Sequence, residues 1–273
     1  MVINGNFFEA YNDSKFPIGH VMADGQFLHG VSGISAAAFT EDNELQIGRP
    51  ALFFYVRSGN RTWACYELNS RTQHPVTSVL YTPAFGASVT FSCNGVATAV
   101  ENGKIASSHN VSAGSSAAIP QNGYLMFFGS QFASTHYYRA PVVGSPAMMT
   151  PELTKVETNG FTMDGVVNMV SGAPRLVEGG VICTTLEPGF QEVRFTTAVT
   201  PRTAIGELAS GNMVIVSTSA ASVQQMRELM LQLGCVDAIN LDGGASTGLV
   251  YQGRIIRQPG RQLTTTLQVI VSN

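Results

Sequence analysis

The sequence predicts an α+β fold dominated by mixed β-sheets, with few helices. Charged residues make up only 12% of the 273 residues, whereas roughly 25% is usual. The exposed faces must therefore use Ser, Thr, Asn, Gln and Gly, as β-rich domains do, rather than the Glu and Lys of surface helices. Asn-Gly pairs, which favour hairpin turns because both residues tolerate positive φ, recur along the chain. Only one segment has a clear helical period.

Short strands are predicted around these turns. The Asn-Gly pairs begin at Asn4, Asn94, Asn102, Asn122 and Asn159. Around them lie short runs of apolar or alternating residues, rich in the aromatic and β-branched types that favour strands. We predict strands over residues 51–56, 79–81, 88–92, 124–128 and 194–199. Residues 1–150 are therefore predicted to form strands and turns with little helix.

The predicted helix covers residues 222–233. Apolar side chains recur there with a spacing near 3.6, at Val223, Met226, Leu229, Met230 and Leu233. Ser222 can begin the helix in a capping box with Gln225, although Ser219 is a competing cap. Gly234 supplies a natural end because glycine adopts the left-handed conformation that follows many helices.

Two further strands are predicted after the helix. The apolar run 238–241 leads directly into an Asp-Gly-Gly sequence, and the last strand covers residues 263–271. The stretch 144–153 contains two prolines and is a weak linker candidate, but strand-like patterns continue on both sides of it. We therefore predict a single domain over residues 1–273.

The bulk properties exclude several classes of protein. The net charge of −3 gives no electrostatic footprint for nucleic acid. The sequence contains no run of 18 apolar residues, so it predicts no membrane span, and no signal peptide is visible. The four cysteines form no C-x-x-C pair, so we expect free thiols, with one disulfide as an alternative. The five histidines lack metal-binding spacing, and no P-loop, dinucleotide or G-x-S-x-G motif is present.

The segment most informative about chemistry covers residues 240–247, Asn-Leu-Asp-Gly-Gly-Ala-Ser-Thr. Asp242 directly follows an apolar strand, so its carboxylate is expected at the end of a sheet. Gly243 and Gly244 allow close backbone approach and leave successive N–H groups free to bind an oxyanion, and Ser246 adds a hydroxyl. An ordinary Asp-Gly-Gly turn would explain the same residues without a functional role.

Two segments contain candidate charged residues. Arg202 lies between a proline and a short apolar strand, where an ordinary surface arginine is the alternative interpretation. Arg175 and Glu178 lie in Gly-Ala-Pro-Arg-Leu-Val-Glu, which predicts a loop followed by a short apolar step. Taken alone, this second segment indicates no particular chemistry.

A fourth segment, Asn-Gly-Asn-Phe-Phe at residues 4–8, suggests sugar recognition. Asn4 and Asn6 flank a glycine just ahead of two aromatic residues, the second of which is Phe8. Asn side chains can hydrogen-bond to sugar hydroxyls, and aromatic faces can stack on sugar rings. A type I′ hairpin turn explains the first two residues of this segment equally well.

Together these motifs resemble those of the phosphodiester glycosidase family. The resemblance covers essentially the whole chain, in the order Asn-Gly-x-Phe-Phe, Gly-x-Pro-x-Leu-Val, Pro-Arg-Thr-Ala-Ile-Gly, Asn-Leu-Asp-Gly-Gly-x-Ser and then Arg261. The third and fourth motifs are the most specific. Ala245 departs from the family, which usually has a third glycine there. Relatives usually have further strands before the first motif, so we expect this chain to lack them.

The resemblance implies hydrolysis of the glycosidic bond in a sugar-1-phosphodiester, such as an N-acetylglucosamine-1-phosphodiester. A phosphomonoester leaves readily, so the reaction needs a cation on the phosphate and a carboxylate near the anomeric carbon more than a general acid. We expect Asp242 to be the nucleophile or general base. Arg202 is the first choice for the phosphate clamp, followed by Arg261 and Arg175.

The resemblance also implies further site residues. Glu178 is a candidate catalytic carboxylate in reserve, as is Glu207. The residues expected to bind the sugar or phosphate are Asn4, Asn6, Phe8, Arg175, Gly243, Gly244, Ser246 and Arg261. We expect no metal in the chemical step, although Asp242 and neighbouring carbonyls could hold Ca²⁺ or Mg²⁺. The expected partner is a phosphorylated glycan or a sugar phosphodiester, and not nucleic acid.

Two alternative functions stay open from the sequence. The chain could be a non-catalytic glycan-binding or cell-envelope module on the same fold, or a phosphodiesterase that cleaves P–O instead of C–O. Retention and inversion depend on the separation of carboxylates, and the oligomeric state is equally undetermined. By resemblance, we expect a bacterial protein that is exported or associated with the cell envelope.

Overall fold

The computed structural model describes residues 1–11, 15–135, 138–156 and 161–270. Strands make up 49% of these residues and helices 8%. The sheets are mixed, because they contain both parallel and antiparallel pairs of neighbouring strands. The predicted β-rich fold with few helices is confirmed.

Most of the strands are short, as the sequence predicted. The strands up to residue 156 are β1 (Val2–Asn4), β2 (Val21–Ala23), β3 (Gln26–Val31), β4 (Ser35–Thr40), β5 (Leu45–Gly48), β6 (Pro50–Ser58), β7 (Arg61–Cys65), β8 (Glu67–Leu68), β9 (Ser78–Tyr81), β10 (Ser88–Thr90), β11 (Gly95–Glu101), β12 (Lys104–Val111), β13 (Ser116–Ala118), β14 (Gly123–Gly129) and β15 (Met148–Val156). The later strands are β16 (Val166–Gly172), β17 (Arg175–Glu178), β18 (Val181–Ile182), β19 (Thr200–Leu208), β20 (Met213–Ala221), β21 (Cys235–Asn240), β22 (Leu249–Tyr251), β23 (Arg254–Arg257) and β24 (Thr266–Gln268). The helices are α1 (Ser130–Ala133) and α2 (Val223–Gln232), with 3₁₀ turns at Val193–Phe195 and Gly244–Ser246.

The chain divides into two compact units. The first unit comprises Met1–Gln26, Gly33–Pro50 and Val156–Asn273, and the second comprises Phe27–Ser32 and Ala51–Lys155. Each unit is assembled from segments that are distant in the sequence. The candidate site residues predicted from the sequence all belong to the first unit.

The second unit is built on strands in the order β12–β11–β14–β9–β8–β3, in which β8 and β9 are parallel. Its core contains Phe54, Trp63, Leu80 and Phe128, all almost fully buried. The predicted hairpin at Asn102 is confirmed, since Asn102 and the following glycine have φ of 51° and 73° between β11 and β12.

The other Asn-Gly pairs do not form such two-residue hairpins where the structure describes them. Asn4 ends β1, while Asn94 and Asn122 directly precede the strands β11 and β14. The pair that begins at Asn159 lies outside the described residues. These glycines meet close neighbours instead: a Cβ atom at Gly95 would lie 2.3 Å from the Phe128 carbonyl oxygen.

The first unit contains a five-stranded sheet, β18–β17–β21–β19–β20, and a four-stranded sheet, β23–β22–β1–β24. The strands β2, β16, β4 and β5 also run side by side within this unit. Its central hydrophobic cluster includes Ile3, Phe39, Ile205, Ile239 and Leu241. This cluster joins residues of β1, β4, β19 and the end of β21, so the segments around the predicted site are fixed by a shared core.

Helix α2 confirms the predicted helix and its capping box. The Ser222 hydroxyl accepts a hydrogen bond from the Gln225 backbone N–H at 3.2 Å, and the Gln225 side chain accepts one from the Ser222 N–H at 2.8 Å. Met226 and Met230 are fully buried against the five-stranded sheet. Burying such a side chain contributes about 1.5–3 kcal/mol. Gly234 follows the helix with a φ of 87°, as its predicted role requires.

Two strand predictions need correction. Residues 194–199 contain a 3₁₀ turn, because the backbone N–H groups of Thr196, Thr197 and Ala198 all point back to the Val193 carbonyl. The last predicted strand, 263–271, is a strand only over Thr266–Gln268. The predicted strands at 51–56, 79–81, 88–92, 124–128 and 238–241 coincide with β6, β9, β10, β14 and β21 to within three residues.

The four cysteines are free thiols in this structure. Burial raises the pKa of the Cys183 thiol to about 11. The weak linker candidate at 144–153 is largely occupied by β15. None of the helices among the described residues is long and apolar enough to cross a membrane.

Candidate functional site

Three neighbouring strands of the first unit bring the predicted motifs to one edge of a sheet. β21 runs antiparallel to β17 on one side and to β19 on the other. The start of β17 and the middle of β19 therefore lie beside the end of β21. Arg175 pairs with Ile239, and Ala204 pairs with Asn240, the last residue of β21. Asp242 follows that strand end, so three of the predicted motifs meet at this edge.

Asn4 joins the first motif to the same edge. Its side-chain N–H donates to the Asp242 backbone carbonyl at 2.6 Å. Its side-chain oxygen accepts from the Thr203 hydroxyl at 2.7 Å and from the Gly248 N–H at 3.1 Å. Asn4 is only 1% exposed, so it has no surface for a sugar in this conformation. The sequence suggested that Asn4 contacts a sugar, but in this conformation its side chain bonds to the protein instead. Its geometry is that of a residue that positions the Asp242 loop.

The Asp242 carboxylate is held by its own loop. The Gly243 backbone N–H donates to Oδ1 at 2.8 Å, and the buried Ser246 side chain also hydrogen-bonds the carboxyl. Burial raises the pKa of Asp242, while Ser246, Gly243 and the positive charge of Arg261 each oppose that increase. A partly buried carboxylate between hydrogen-bond donors and a cation is suited to nucleophilic or general-base chemistry.

The glycines shape the loop as the sequence predicted. Gly244 has a φ of 59°, which favours glycine, and it opens the 3₁₀ turn Gly244–Ser246. A Cβ atom on Gly243 would lie 2.8 Å from the Pro201 carbonyl oxygen, so the close approach of two backbones requires glycine there. Ala245 does not have a positive φ, so the backbone accepts alanine where the family usually has glycine. The Gly243 N–H is engaged by Asp242 rather than left for an oxyanion.

Arg202 is buried and donates hydrogen bonds to backbone carbonyls. Its Nη2 donates to the backbone carbonyls of Arg194 at 2.9 Å and Ala198 at 2.8 Å, and its Nε donates to Ala221 at 3.1 Å. It is 3% exposed, and burial lowers the pKa of its guanidinium. These bonds hold the turn at 194–198 against β19. Backbone oxygens therefore occupy two of the three guanidinium nitrogens, and the role of Arg202 as a phosphate clamp stays a prediction.

Arg261 carries a positive charge that acts on Asp242. Burial raises the pKa of the Asp242 carboxyl, and the charge of Arg261 opposes that increase more weakly than the hydrogen bonds from Ser246 and Gly243 do. The Arg261 guanidinium also lies 5.3 Å from the centroid of the Tyr11 ring, a cation–π contact, and Tyr11 is 88% exposed. Arg261 is partly exposed, so it retains access to a ligand.

Asn6 and Phe8 are buried within the first unit. The Asn6 side-chain amide donates to the carbonyls of Ile18 at 2.9 Å and His20 at 3.0 Å, and Asn6 is 2% exposed. Phe8 is 8% exposed and its backbone pairs with Pro17. Neither side chain presents a face to a ligand here, in contrast to the sugar contacts expected from the sequence.

Arg175 and Glu178 lie together at a second polar position on the same edge. Arg175 Nη1 lies 2.5 Å from Glu178 Oε1, and Arg175 is largely buried while Glu178 is half exposed. Glu187 lies beside them: its Oε1 accepts from the Arg175 backbone N–H at 3.0 Å and from the Ser35 hydroxyl at 2.6 Å. Glu187 could not be identified from the sequence, because it lies in the loop Leu-Glu-Pro-Gly without a motif or period.

The reserve carboxylate Glu207 is not brought to this edge. It pairs with Asp237 further along the sheet, three positions from Ala204, which corresponds to about 10 Å along a strand. Burial and the facing Asp237 raise the pKa of Glu207. Among the described residues, no group of three or more His, Cys, Asp or Glu side chains could hold a metal ion.

The predicted residues thus separate into three groups. Asp242, Gly243, Gly244, Ser246 and Arg261 form one local group, which we call the Asp242 loop site. Of the others, Asn4, Asn6, Phe8 and Arg202 are buried supports, and Arg175 and Glu178 form the second polar position.

A family model for phosphodiester glycosidases matches residues 94–270, which is well over half of the chain. The chain belongs to the phosphodiester glycosidase family. The matched span includes Arg175, Arg202, Asp242 and Arg261. Membership supports a glycosidase-type hydrolase.

Individual relatives are distant. The bovine N-acetylglucosamine-1-phosphodiester alpha-N-acetylglucosaminidase is 28% identical over 113 residues, which are 36% of this chain and 21% of the bovine protein. A hypothetical protein from Synechocystis has the same fold, with a TM-score of 0.78 and 24% identity over 95% of this chain and 48% of its own. A candidate exported protein of Burkholderia pseudomallei gives a TM-score of 0.69 and 18% identity over 95% of this chain and 62% of its own. The chain therefore spans less than two thirds of each of these proteins.

Proposed function

We propose that this protein hydrolyses the glycosidic bond of a sugar-1-phosphodiester, releasing the free sugar and a phosphomonoester. The observation on which this rests is the Asp242 loop site. There a partly buried carboxylate at a strand end accepts hydrogen bonds from Gly243 and Ser246 and lies within the electrostatic reach of Arg261. The site offers the two features that the reaction needs, a carboxylate for the anomeric carbon and a cation for the phosphate.

The proposed chemistry breaks the bond between the anomeric carbon and the phosphate oxygen. The bonding electrons leave with the phosphate, and Arg261 stabilises the charge that develops on it. Asp242 acts either as the nucleophile or as the base that takes a proton from the attacking water. The water supplies the hydroxyl that completes the free sugar. A phosphomonoester is a good leaving group near neutral pH, so protonation of the leaving oxygen is not required.

Asn4 and Arg202 contribute as positioning residues in this proposal. Asn4 fixes the Asp242 backbone carbonyl, and Arg202 fixes the turn at 194–198. A displacement of about 1 Å in such a site can cost roughly 100-fold in rate. The buried supports therefore matter for turnover, although they do not touch the substrate.

The choice of sugar follows the bovine relative, whose name specifies an N-acetylglucosamine-1-phosphodiester. We take N-acetylglucosamine-α-1-phosphomethyl as the first substrate to test. We also propose that the protein acts outside the cytoplasm, a proposal supported by the name of the Burkholderia pseudomallei structure. Cell fractionation of the source organism tests this location, and recovery in the cytoplasmic fraction alone would contradict it.

The experiment measures release of free N-acetylglucosamine by the wild type, Asp242→Asn and Arg261→Ala. Asp242→Asn should lose roughly 10²–10⁴-fold in kcat, the usual contribution of a positioned proton acceptor. Arg261→Ala should raise KM roughly tenfold or more, because a charge-assisted bond to the phosphate is lost. Asp237→Asn is the matched control, since Asp237 lies on the same strand away from the site.

Each result has a defined meaning. Full activity of Asp242→Asn would show that the site is elsewhere. Sugar binding without turnover by the wild type would instead indicate a non-catalytic glycan-binding module. We expect turnover to persist after EDTA treatment, because the proposed step uses no metal, and loss of activity that Ca²⁺ or Mg²⁺ restores would contradict this.

A further inference from the structure

The hairpin formed by β22 and β23 carries large apolar side chains on its surface. Ile255 and Ile256 are 62% and 61% exposed, and Tyr251 is half exposed. The turn between the two strands is Gln252-Gly253, whose φ of 48° and 75° are typical of a tight two-residue hairpin. β23 is the outer strand in the order β23–β22–β1–β24, so residues 251–257 lie at the margin of the sheet. We call these residues the hairpin tip.

A β-bulge interrupts the regular pattern of the tip. Leu249 pairs with Arg257 and Val250 with Ile255, so Ile256 is the extra residue. In a regular strand neighbouring side chains point to opposite faces, whereas both isoleucines here are exposed. A bulge on an outer strand also hinders pairing with a further strand. The tip is therefore poorly suited to extend the sheet, either with a peptide or with a second copy of this chain.

A further exposed isoleucine lies at the same end of the four-stranded sheet. Val250 and Gln268 both pair with Val2, and their strands both run antiparallel to β1. Tyr251 and Ile270 follow these residues, so they lie at one end of the sheet and two strands apart, which is about 10 Å. Ile270 is exposed as well. The apolar surface thus extends across this end of the sheet.

The charged side chains of this sheet are all positive. Residues 243–273 contain three arginines and no Lys, Asp or Glu, although the net charge of the protein is −3. Arg254 and Arg257 are the charged residues within the four strands, and they flank the two isoleucines. Neither arginine forms an ion pair with a residue that the structure describes. Their charges are therefore available to an anionic partner.

Exposed isoleucines between unpaired arginines match the surface of an anionic lipid bilayer. Aliphatic side chains enter the boundary between headgroups and acyl chains, while arginines are attracted to the anionic headgroups. Tyrosine favours the same boundary, because its ring is apolar and its hydroxyl is polar. A second copy of this chain fits less well, because pairing two outer strands would bring the arginines of both copies together.

We propose that the hairpin tip docks this protein on an anionic lipid bilayer. Ile255 and Ile256 enter the boundary between headgroups and acyl chains, and Arg254 and Arg257 bind the headgroup phosphates. The tip shares no residue with the Asp242 loop site. This inference therefore goes beyond the proposed function and does not rest on it.

Vesicle flotation tests the proposal. The protein is mixed with vesicles of phosphatidylglycerol and phosphatidylcholine, and separately with vesicles of phosphatidylcholine alone. We expect flotation with the anionic vesicles only, and less of it at high salt, which screens the charges. Ile255→Ser combined with Ile256→Ser should weaken binding roughly tenfold or more. Arg254→Gln combined with Arg257→Gln should also weaken it roughly tenfold or more.

The chain offers a matched control for each pair. Val181 is 67% exposed on β18, the outer strand of the five-stranded sheet, so Val181→Ser removes an exposed aliphatic side chain elsewhere. Lys104 is an exposed cation of the second unit, so Lys104→Gln removes one positive charge away from the tip. Both control variants should bind the anionic vesicles as the wild type does.

A fluorescent variant gives a second measurement that does not depend on losing a side chain. Trp63 is the one tryptophan of the chain and is buried. Ile256→Trp therefore adds a single exposed indole at the tip. Its emission should shift to shorter wavelength with the anionic vesicles and stay unchanged with phosphatidylcholine, because the indole enters the bilayer boundary only in the first case.

Several results would overturn the proposal. Equal flotation of the wild type with both kinds of vesicle would do so, as would no flotation with either. Wild-type binding by the folded double isoleucine variant would also contradict it, as would an Ile256→Trp emission that anionic vesicles do not shift. A dimer in sedimentation equilibrium that the isoleucine variant dissociates would assign the tip to a second copy instead. Sugar release enters none of these readouts, so they can fail or succeed independently of the proposed function.

Discussion

Removal of the Asn4 side chain tests the link between the first motif and the Asp242 loop. Asn4→Ala leaves three groups without a partner: the Thr203 hydroxyl, the Gly248 N–H and the Asp242 carbonyl. Thr203 is fully buried and Gly248 is buried, so water cannot readily replace the lost bonds. An unsatisfied buried group costs about 1–3 kcal/mol.

We take a cost near the low end of that range for each unsatisfied group, because Asp242 is partly exposed and its backbone can relax. We expect Asn4→Ala to lower the free energy of unfolding by about 3–5 kcal/mol. Such a loss is a large share of the 5–15 kcal/mol typical of a folded domain. Urea denaturation followed by far-UV circular dichroism measures it.

Thr203→Val is the matched control for this prediction. It removes one donor and leaves the Asn4 oxygen still paired with the Gly248 N–H, so it should cost only about 1–2 kcal/mol. An Asn4→Ala variant within about 0.5 kcal/mol of the wild type, the range of an ordinary surface substitution, would refute the positioning role of Asn4.

Three further predictions concern charged groups of the first unit. Arg202→Lys should lower the free energy of unfolding by about 1–3 kcal/mol, because its bonds to two backbone carbonyls in the 194–198 turn are lost. In the folded fraction the KM for the phosphodiester should not change, and a large rise in KM would restore Arg202 as a phosphate clamp. Burial raises the pKa of Asp242, and the positive charge of Arg261 opposes this increase. The acid limb of kcat/KM should therefore lie above the ordinary aspartate pKa of about 3.9. Arg261→Ala should move that limb to higher pH, and a shift to lower pH would contradict the electrostatic interaction between Arg261 and Asp242. Glu207→Gln should stabilise the protein by about 0.2–1 kcal/mol at pH 7, since Glu207 and Asp237 face each other on neighbouring strands and both have raised pKa values. The gain should shrink as the pH falls through the raised pKa of Glu207 and protonation relieves the repulsion, so equal gains in urea denaturation at pH 7 and pH 4 would argue against this cause.

Features set by local chemistry could be predicted from the sequence. The capping box of Ser222 and Gln225, the helical end at Gly234 and the hairpin at Asn102 depend on neighbouring residues alone, and the structure contains all three. The loop after Asp242 belongs to the same class, because its glycines are required by a positive φ and by a close backbone approach. These features are local, so a sequence motif is sufficient to specify them.

Features set by packing could not be predicted. Arg202 has the same sequence context whether its guanidinium faces solvent or the protein, and its direction depends on the 3₁₀ turn at 193–195, which the sequence suggested was a strand. Asn4 and Asn6 are polar residues whose partners are distant in the chain. Glu187 lies in a loop without a pattern, and only the fold brings it to Ser35 and Arg175.

The position of the bond cleaved is the most direct test of the proposed glycosidase chemistry. N-acetylglucosamine-α-1-phosphomethyl is hydrolysed in ¹⁸O-labelled water, and both products are analysed by mass spectrometry under conditions that limit exchange at the anomeric carbon. Water attacks the anomeric carbon in this account, so the label should appear in the sugar and the methyl phosphate should be unlabelled. Label in the methyl phosphate would show P–O cleavage and contradict the assignment of Asp242 to glycosidic bond hydrolysis.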